Sequence, residues 1–199
     1  MDRRLICALL ALVLSACGGG NISVQQTQSP LLSDVVAFMG DSITHQWDLT
    51  QYDAGPTINF GVGGDTTVQM LARFDAVISA APGVVVILGG TNDLFYNQDA
   101  STDSIAAMAA MAKASGIRVI LCSVMPADRT PLAAIEIFNA QLIKLAQANS
   151  YLYADYYDEF LTADGTANNS LLYDGLHPNA AGYAVMWGVI SPLLTEDLN

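Results

Sequence analysis

Along this chain, short and mostly apolar runs alternate with longer stretches whose apolar residues recur every three or four positions. The runs are Val35–Met39, Thr57–Phe60, Val84–Leu88, Ile117–Val124 and Tyr151–Asp155. Val84-Val85-Val86-Ile87-Leu88 has no polar member, as expected of a central parallel strand covered on both faces. Between the second and third runs, Val68, Leu71, Ala72, Phe74 and Ile78 fall at helical spacing. That spacing predicts one helix to about Ala80, opened by Asp65 or Thr66 as a cap and ended by Pro82-Gly83. Ser101 to Ser115 predicts a second helix closed by Gly116. Pro131 opens a third, with Leu132, Ile135, Phe138, Leu142 and Leu145 on one side. Pro178-Asn179-Ala180 starts a terminal helix carrying Tyr183, Met186, Trp187 and Ile190.

Strand and helix alternate throughout, with no internal repeat or low-complexity tract. The pattern predicts an α/β domain of three layers, α/β/α, around a five-stranded parallel sheet of flavodoxin-like order.

The amino end breaks the pattern. Met1-Asp2-Arg3-Arg4 is basic, and Leu5 to Leu14 is an apolar run of signal-peptide length, short for a bilayer span. Leu14-Ser15-Ala16-Cys17 resembles the bacterial lipobox, which implies cleavage before Cys17 and lipidation of that residue. An ordinary cleaved signal with an incidental cysteine is the alternative. Gly18 after the cysteine implies, by resemblance to Gram-negative lipoproteins, sorting to the outer membrane, facing either the periplasm or the cell surface. Residues 18–30 are rich in Gly, Ser, Gln and Asn and read as a tether. The expected organisation is a signal peptide over 1–16, a tether over 17–32 and a folded domain over 33–199.

Composition narrows the partners. At 52% hydrophobic and 13% charged, the 199 residues are those of a globular chain. A net charge of −12 with seven Lys and Arg leaves no basic patch for phosphates, which argues against nucleic acid and acidic polymers. Cys7 leaves with the signal, and Cys122 lies in an apolar strand as a small buried hydrophobe. Neither a disulfide framework nor a metal-type spacing follows.

The candidate chemistry sits after the strands. Gly40-Asp41-Ser42 follows the first, Gly63-Gly64-Asp65 the second and Gly90-Thr91-Asn92-Asp93 the third; Asp174-Gly175-Leu176-His177-Pro178 follows the last. Each has a plain structural alternative: Ser42 as a helix cap, Gly64 as a turn glycine, Asn92 as a loop-closing amide, Asp174 as a turn cap and His177 as a surface residue. Their order and placement together resemble the blocks of the SGNH, or GDSL-type, hydrolase superfamily. Asn59-Phe60-Gly61-Val62-Gly63-Gly64-Asp65-Thr66-Thr67 is similar to its platelet-activating-factor acetylhydrolase-like branch. The resemblance runs from about Val35 to Ile190.

The resemblance implies Ser42 as nucleophile, His177 as general base and Asp174 as the group that orients it. It places an oxyanion hole at the Ser42 N–H, the Gly64 N–H and the Asn92 side-chain amide. The chemistry suits these residue types. A serine hydroxyl is a weak nucleophile until an imidazole takes its proton, and an Asp three residues before a His can hold the other ring nitrogen. The expected activity is hydrolysis of carboxylic esters without cofactor or metal. A short acyl group, acetyl first, on a carbohydrate or lipid is the expected substrate. A lysophospholipase or thioesterase with the same triad, or a non-catalytic surface binding lipoprotein, are the alternatives.

His45 is the other of the two histidines and is placed on the surface or the rim of the cleft. Asp41 and Asp93 are expected to hold loops through backbone hydrogen bonds, and Asp65 to cap a helix. Trp47, Phe95 and Tyr96 either wall an acyl or sugar site or pack the edge of the core.

Overall fold

The computed structural model describes residues 34–97, 100–128 and 130–195. The expected signal, Cys17 and the tether all lie outside these described residues.

Five parallel strands form the middle layer: β1 (Val36–Gly40), β2 (Thr57–Gly61), β3 (Val84–Leu88), β4 (Arg118–Cys122) and β5 (Leu152–Ala154). Their spatial order is β2-β1-β3-β4-β5, the expected flavodoxin-like arrangement. β1 and β3 lie side by side in register from Val36↔Val84 to Gly40↔Leu88, and every residue of both is buried. The absence of polar residues from β3 follows from that double burial. β2 is an edge strand, and none of its residues is fully buried.

Alternation along the strands sorts the core into two layers. Ala37, Met39, Val85, Ile87, Val119 and Leu121 face one side. There they meet α2 (Thr67–Ala72), α3 (Asp75–Ala80), α5 (Asp103–Ala114) and α6 (Leu132–Asn149). Val36, Phe38, Val86, Ile120 and Cys122 face the other side, against α1 (Ser42–His45) and α7 (Ala180–Leu194). A further short helix, α4 (Thr91–Tyr96), follows β3. Among the described residues, no helix is long and apolar enough to cross a membrane.

The structure corrects one sequence expectation and decides between two alternatives for another residue. The single helix to Ala80 is two, α2 and α3, interrupted at Arg73-Phe74. At that break Phe74 is fully buried in the core, while the Arg73 side chain bonds to the ends of β1 and β2. Trp47 is core, not a substrate wall: at 3% exposure it stacks on Tyr183 and meets Phe38 edge-on.

The topology decides where a site can form. Strand order reverses between β1 and β3, so the chains leaving their carboxyl ends diverge and open a crevice. Ser42 follows β1 by one residue beyond Asp41, and Asn92 stands in the first turn of α4 after β3.

Candidate active site

The chain turns sharply after β1. Gly40 permits this, because a Cβ there would meet Thr44 Oγ1 at 2.0 Å and the Leu88 carbonyl oxygen at 2.7 Å. Asp41 then caps α1, its Oδ1 accepting from Ile43 N–H at 2.9 Å. The cap is therefore Asp41 rather than Ser42, which leaves the Ser42 hydroxyl available for another partner.

That partner is His177. The distance from Ser42 Oγ to His177 Nε2 is 2.9 Å across 135 residues of sequence. His177 Nδ1 lies 2.8 Å from Asp174 Oδ2. Asp174 Oδ1 accepts from the backbone N–H of Leu176 at 3.1 Å and of His177 at 2.8 Å. Burial pushes the Asp174 carboxyl upward. The bonds from the His177 backbone, the His177 ring and Leu176 N–H outweigh it and hold the group below its ordinary value. An ionised Asp174 takes the Nδ1 proton as its hydrogen bond, so Nε2 is left as the acceptor facing the serine. Tyr173 stacks on the imidazole at 5.5 Å between ring centroids and donates from its hydroxyl to Gln46 Oε1 at 3.1 Å. The ring is thus held on its face as well as at both nitrogens.

Of the expected oxyanion donors, Asn92 meets both the turn before Ser42, at Asp41, and the loop after Gly64, at Asp65. Gly64 has φ +83°, a backbone conformation that L side chains rarely adopt. A Cβ at that position would meet no protein atom within 4 Å, so the turn itself, not crowding from the protein, calls for glycine. Asn92 Nδ2 donates to the Asp65 carbonyl at 2.9 Å and lies 3.4 Å from Asp41 Oδ2. The first bond fastens the Gly64 loop. The second is long and weak, so the hydrogen pointing that way is the one an incoming anion could claim.

The carboxylates around the site take separate parts. Asp93 accepts from Thr67 N–H at 2.9 Å and from Thr67 Oγ1 at 2.6 Å, and ties α4 to the start of α2. This is the expected loop-holding role, and Asp41 performs the same role through Ile43. Asp65 is not a helix cap. Thr66 caps α2, its N–H donating to Gln69 Oε1, while Asp65 pairs with Arg73 at 2.6 Å. Asp41 is 1% exposed, and its carboxyl is pushed up to about 6, first by burial and further by the charge of Asp93. The bond from Ile43 N–H and the charge of His177 partly offset that rise. Among the described residues, no group of three or more His, Cys, Asp or Glu is placed to hold a metal ion.

Beside Asn92 lies a pocket of about 130 Å³ lined by Thr91, Phe95, Tyr96, Ala127, Thr130 and Leu176. Phe95 and Tyr96 stand exposed at its mouth and meet edge-on, consistent with the substrate-wall alternative. His45 is exposed on the surface, its Nδ1 3.2 Å from the Gly61 carbonyl oxygen. The sequence pattern does not mark Arg73, Tyr173, Ala127 or Thr130. Arg73 bonds to backbone carbonyls and Tyr173 to the distant Gln46, and residue spacing registers neither contact.

A serine hydroxyl bonded to an imidazole that a carboxylate holds on its other nitrogen is an arrangement suited to acyl transfer. Comparison with known proteins agrees. Residues 38–185 match the GDSL-like Lipase/Acylhydrolase family. The structure is similar to a GDSL-like lipase from Bacteroides thetaiotaomicron, with TM-score 0.74 and 35% identity, covering 81% of this chain and 88% of that one. Esterase TesA of Pseudomonas aeruginosa is 30% identical over 145 residues, 69% of this chain and 70% of that protein. Platelet-activating factor acetylhydrolase IB subunit alpha1 of Rattus norvegicus is 29% identical over 173 residues, 80% of this chain and 74% of its own. The chain belongs to the GDSL-like lipase/acylhydrolase family and is a carboxylic ester hydrolase.

Proposed function

We propose that this family member hydrolyses short-acyl esters, acetyl esters first, through an acyl-enzyme on Ser42. The observation that carries the proposal is the unbroken chain from Ser42 Oγ through both His177 nitrogens to Asp174, at 2.9 and 2.8 Å. Ser42 attacks the ester carbonyl as its proton passes to His177 Nε2. Asp174 keeps Nδ1 protonated and stabilises the imidazolium that forms. The oxyanion receives hydrogen bonds from Ser42 N–H, Gly64 N–H and Asn92 Nδ2, the last exchanging its weak bond to Asp41 for the substrate. His177 then protonates the departing alcohol. Water, activated by the same imidazole, releases the acid and restores the serine.

The short-acyl preference is supported by the small pocket beside Asn92, whose apolar lining includes Phe95, Tyr96, Ala127 and Leu176. The acetylhydrolase name of one relative points the same way. The alcohol portion is a carbohydrate or a lipid head group. The protein reaches its substrate from a membrane, held by a lipid on Cys17, with the segment over 17–32 as the tether. This rests on the lipobox-like Leu14-Ser15-Ala16-Cys17. Cys17→Ala should then release the protein from membranes or leave it unprocessed; a mature, lipidated Cys17→Ala protein would refute the anchor.

A series of p-nitrophenyl esters from acetyl to palmitoyl, assayed with wild type and Ser42→Ala, tests the catalytic proposal. The expected result is fastest turnover at acetyl and none above background in Ser42→Ala. Rates rising toward palmitoyl would instead identify a lysophospholipase or long-chain thioesterase. Equal background rates in both proteins would identify a binding protein.

A further inference from the structure

The interruption between α2 and α3 places Arg73 at the end of α2, with its side chain toward the carboxyl ends of β1 and β2. One guanidinium there meets three segments. Nη2 donates to the Gly40 carbonyl at 2.9 Å, two residues before Ser42. Nη1 donates to the Phe60 carbonyl at the end of β2 and lies 3.5 Å from Met39 Sδ. Nε donates to Asp65 Oδ2 at 2.6 Å. Asp65 adjoins Gly64, and the Asp65 carbonyl is the acceptor that fastens Asn92. The Gly40 carbonyl also accepts from Val62 N–H at 3.1 Å, within the loop that carries Gly64.

Both strand ends and the loop that bears the second donor therefore converge on one planar cation. Lysine could not replace it: an ammonium is a single point of charge, whereas the guanidinium fork donates in several fixed directions at once. The pair is largely shielded, with side-chain exposures of 28% for Arg73 and 12% for Asp65. Its geometry is accordingly held more firmly than that of a surface ion pair.

We infer that Arg73 is a positioning residue for ester hydrolysis: it holds the Ser42 turn and the Gly63-Gly64-Asp65 loop at the separation that lets hydroxyl and oxyanion donors face one carbonyl. The inference rests on the acyl-enzyme reading above. Misplacing such groups by about 1 Å typically costs about 10²-fold in rate, whereas ground-state substrate binding depends little on it.

The test uses the full chain with p-nitrophenyl acetate and compares Arg73→Lys, Arg73→Met, Asp65→Asn and Ser42→Ala. Active sites are titrated with a fluorophosphonate so that kcat refers to folded enzyme alone. Both arginine variants should lose about 10²-fold in kcat per titrated site, with KM within about threefold of wild type. A trifluoromethyl ketone mimic of the acetyl transition state should bind them more weakly by a similar factor. Asp65→Asn keeps an acceptor but removes the charge and should lose about tenfold in kcat, because only one of the three segments is loosened.

Wild-type kcat per titrated site in either arginine variant overturns the inference while leaving Ser42 catalysis intact. If neither arginine variant folds, wild-type kcat in Asp65→Asn overturns it. An active Ser42→Ala protein overturns the underlying reading instead, whatever Arg73 does.

Discussion

Asp174 and His177 sit three residues apart in one loop, and the three hydrogen bonds Asp174 accepts come from Leu176 and His177. Ser42, Gly64 and Asn92 come from behind three different strands. The contacts joining them span 27 residues from Asn92 to Asp65 and 51 from Asn92 to Asp41. The acid–base half is a local turn laid over the crevice, and Asp174 remains 40% exposed on its side chain. The nucleophile half is built into the sheet, on a turn whose Asp41 is 1% exposed. Activity and stability are therefore coupled on the sheet side and separate in the turn. Changes in the local turn should reduce catalysis and leave the fold alone, whereas changes on the sheet side should disturb both.

The largest effect belongs to Ser42, the residue through which the nucleophile half contacts the acid–base half. Ser42→Ala should reduce kcat/KM by about 10⁴–10⁶-fold, and adding His177→Ala should cost little more, because the two act as a unit. Steady-state kinetics of the single and double variants check this; additive losses would mean the two do not cooperate.

Asp174→Asn tests the local half. The amide cannot act as an ionised acceptor for the Nδ1 proton, so the tautomer is lost and turnover should fall by up to about 10⁴-fold. The melting temperature should stay within about 4 °C, since exposed turn contacts contribute under about 1 kcal/mol. A larger drop in melting temperature would show that this turn also supports the fold.

Asn92→Ala tests the distributed half. It should reduce kcat by about 10²–10³-fold, the usual consequence of losing one oxyanion donor. It should also lower stability by about 1–2 kcal/mol, because the Asp65 carbonyl loses its partner. Reduced activity with unchanged stability would blur the distinction between the two halves.

Asp41 gives a pH signature to the sheet side. Its carboxyl is pushed up to about 6 in the folded protein against an ordinary value of 3.8. The folded state therefore binds the extra proton between those values. The stability this protonation provides is full below about pH 4 and is lost as pH rises through about 6, leaving a cost of about 3 kcal/mol at neutral pH. Asp41→Asn should remove that dependence. In urea titrations, the stability of wild type relative to the variant should fall as pH rises from about 4 to 7. A constant difference would mean that Asp41 is not a raised carboxyl.

Tyr96→Ala should have the smallest effect. Its ring stands exposed at the mouth of the pocket, so kcat for acetyl esters should change by less than about tenfold, while longer acyl groups gain relative to acetyl. An unchanged chain-length profile would remove Tyr96 from the substrate wall.

The same contrast governs what the sequence reveals. The Asp174–His177 pair is legible because its geometry is encoded in a spacing of three residues. The strands are legible because double burial removes polar residues, as in Val84–Leu88. Helical spacing around Leu71 and Ile78 marked apolar positions but could not register the break at Arg73-Phe74. Arg73 itself stayed hidden because two of its partners are backbone carbonyls, 13 and 33 residues away, which leave no trace in residue identity. For Trp47 the sequence left a substrate wall and the core edge both open. It lies near Ser42 in sequence, yet its ring packs inward between Phe38 and Tyr183.

The central claim is that the Ser42 hydroxyl, activated by His177, takes up the acyl group of a short ester. Rapid acid quenching during turnover of p-nitrophenyl acetate, followed by peptide mass spectrometry, tests it most directly. One acetyl group should appear on the peptide containing Ser42 in wild type and none at that site in His177→Ala. Turnover without acetylation of Ser42, or acetylation undiminished when His177 is removed, would contradict it.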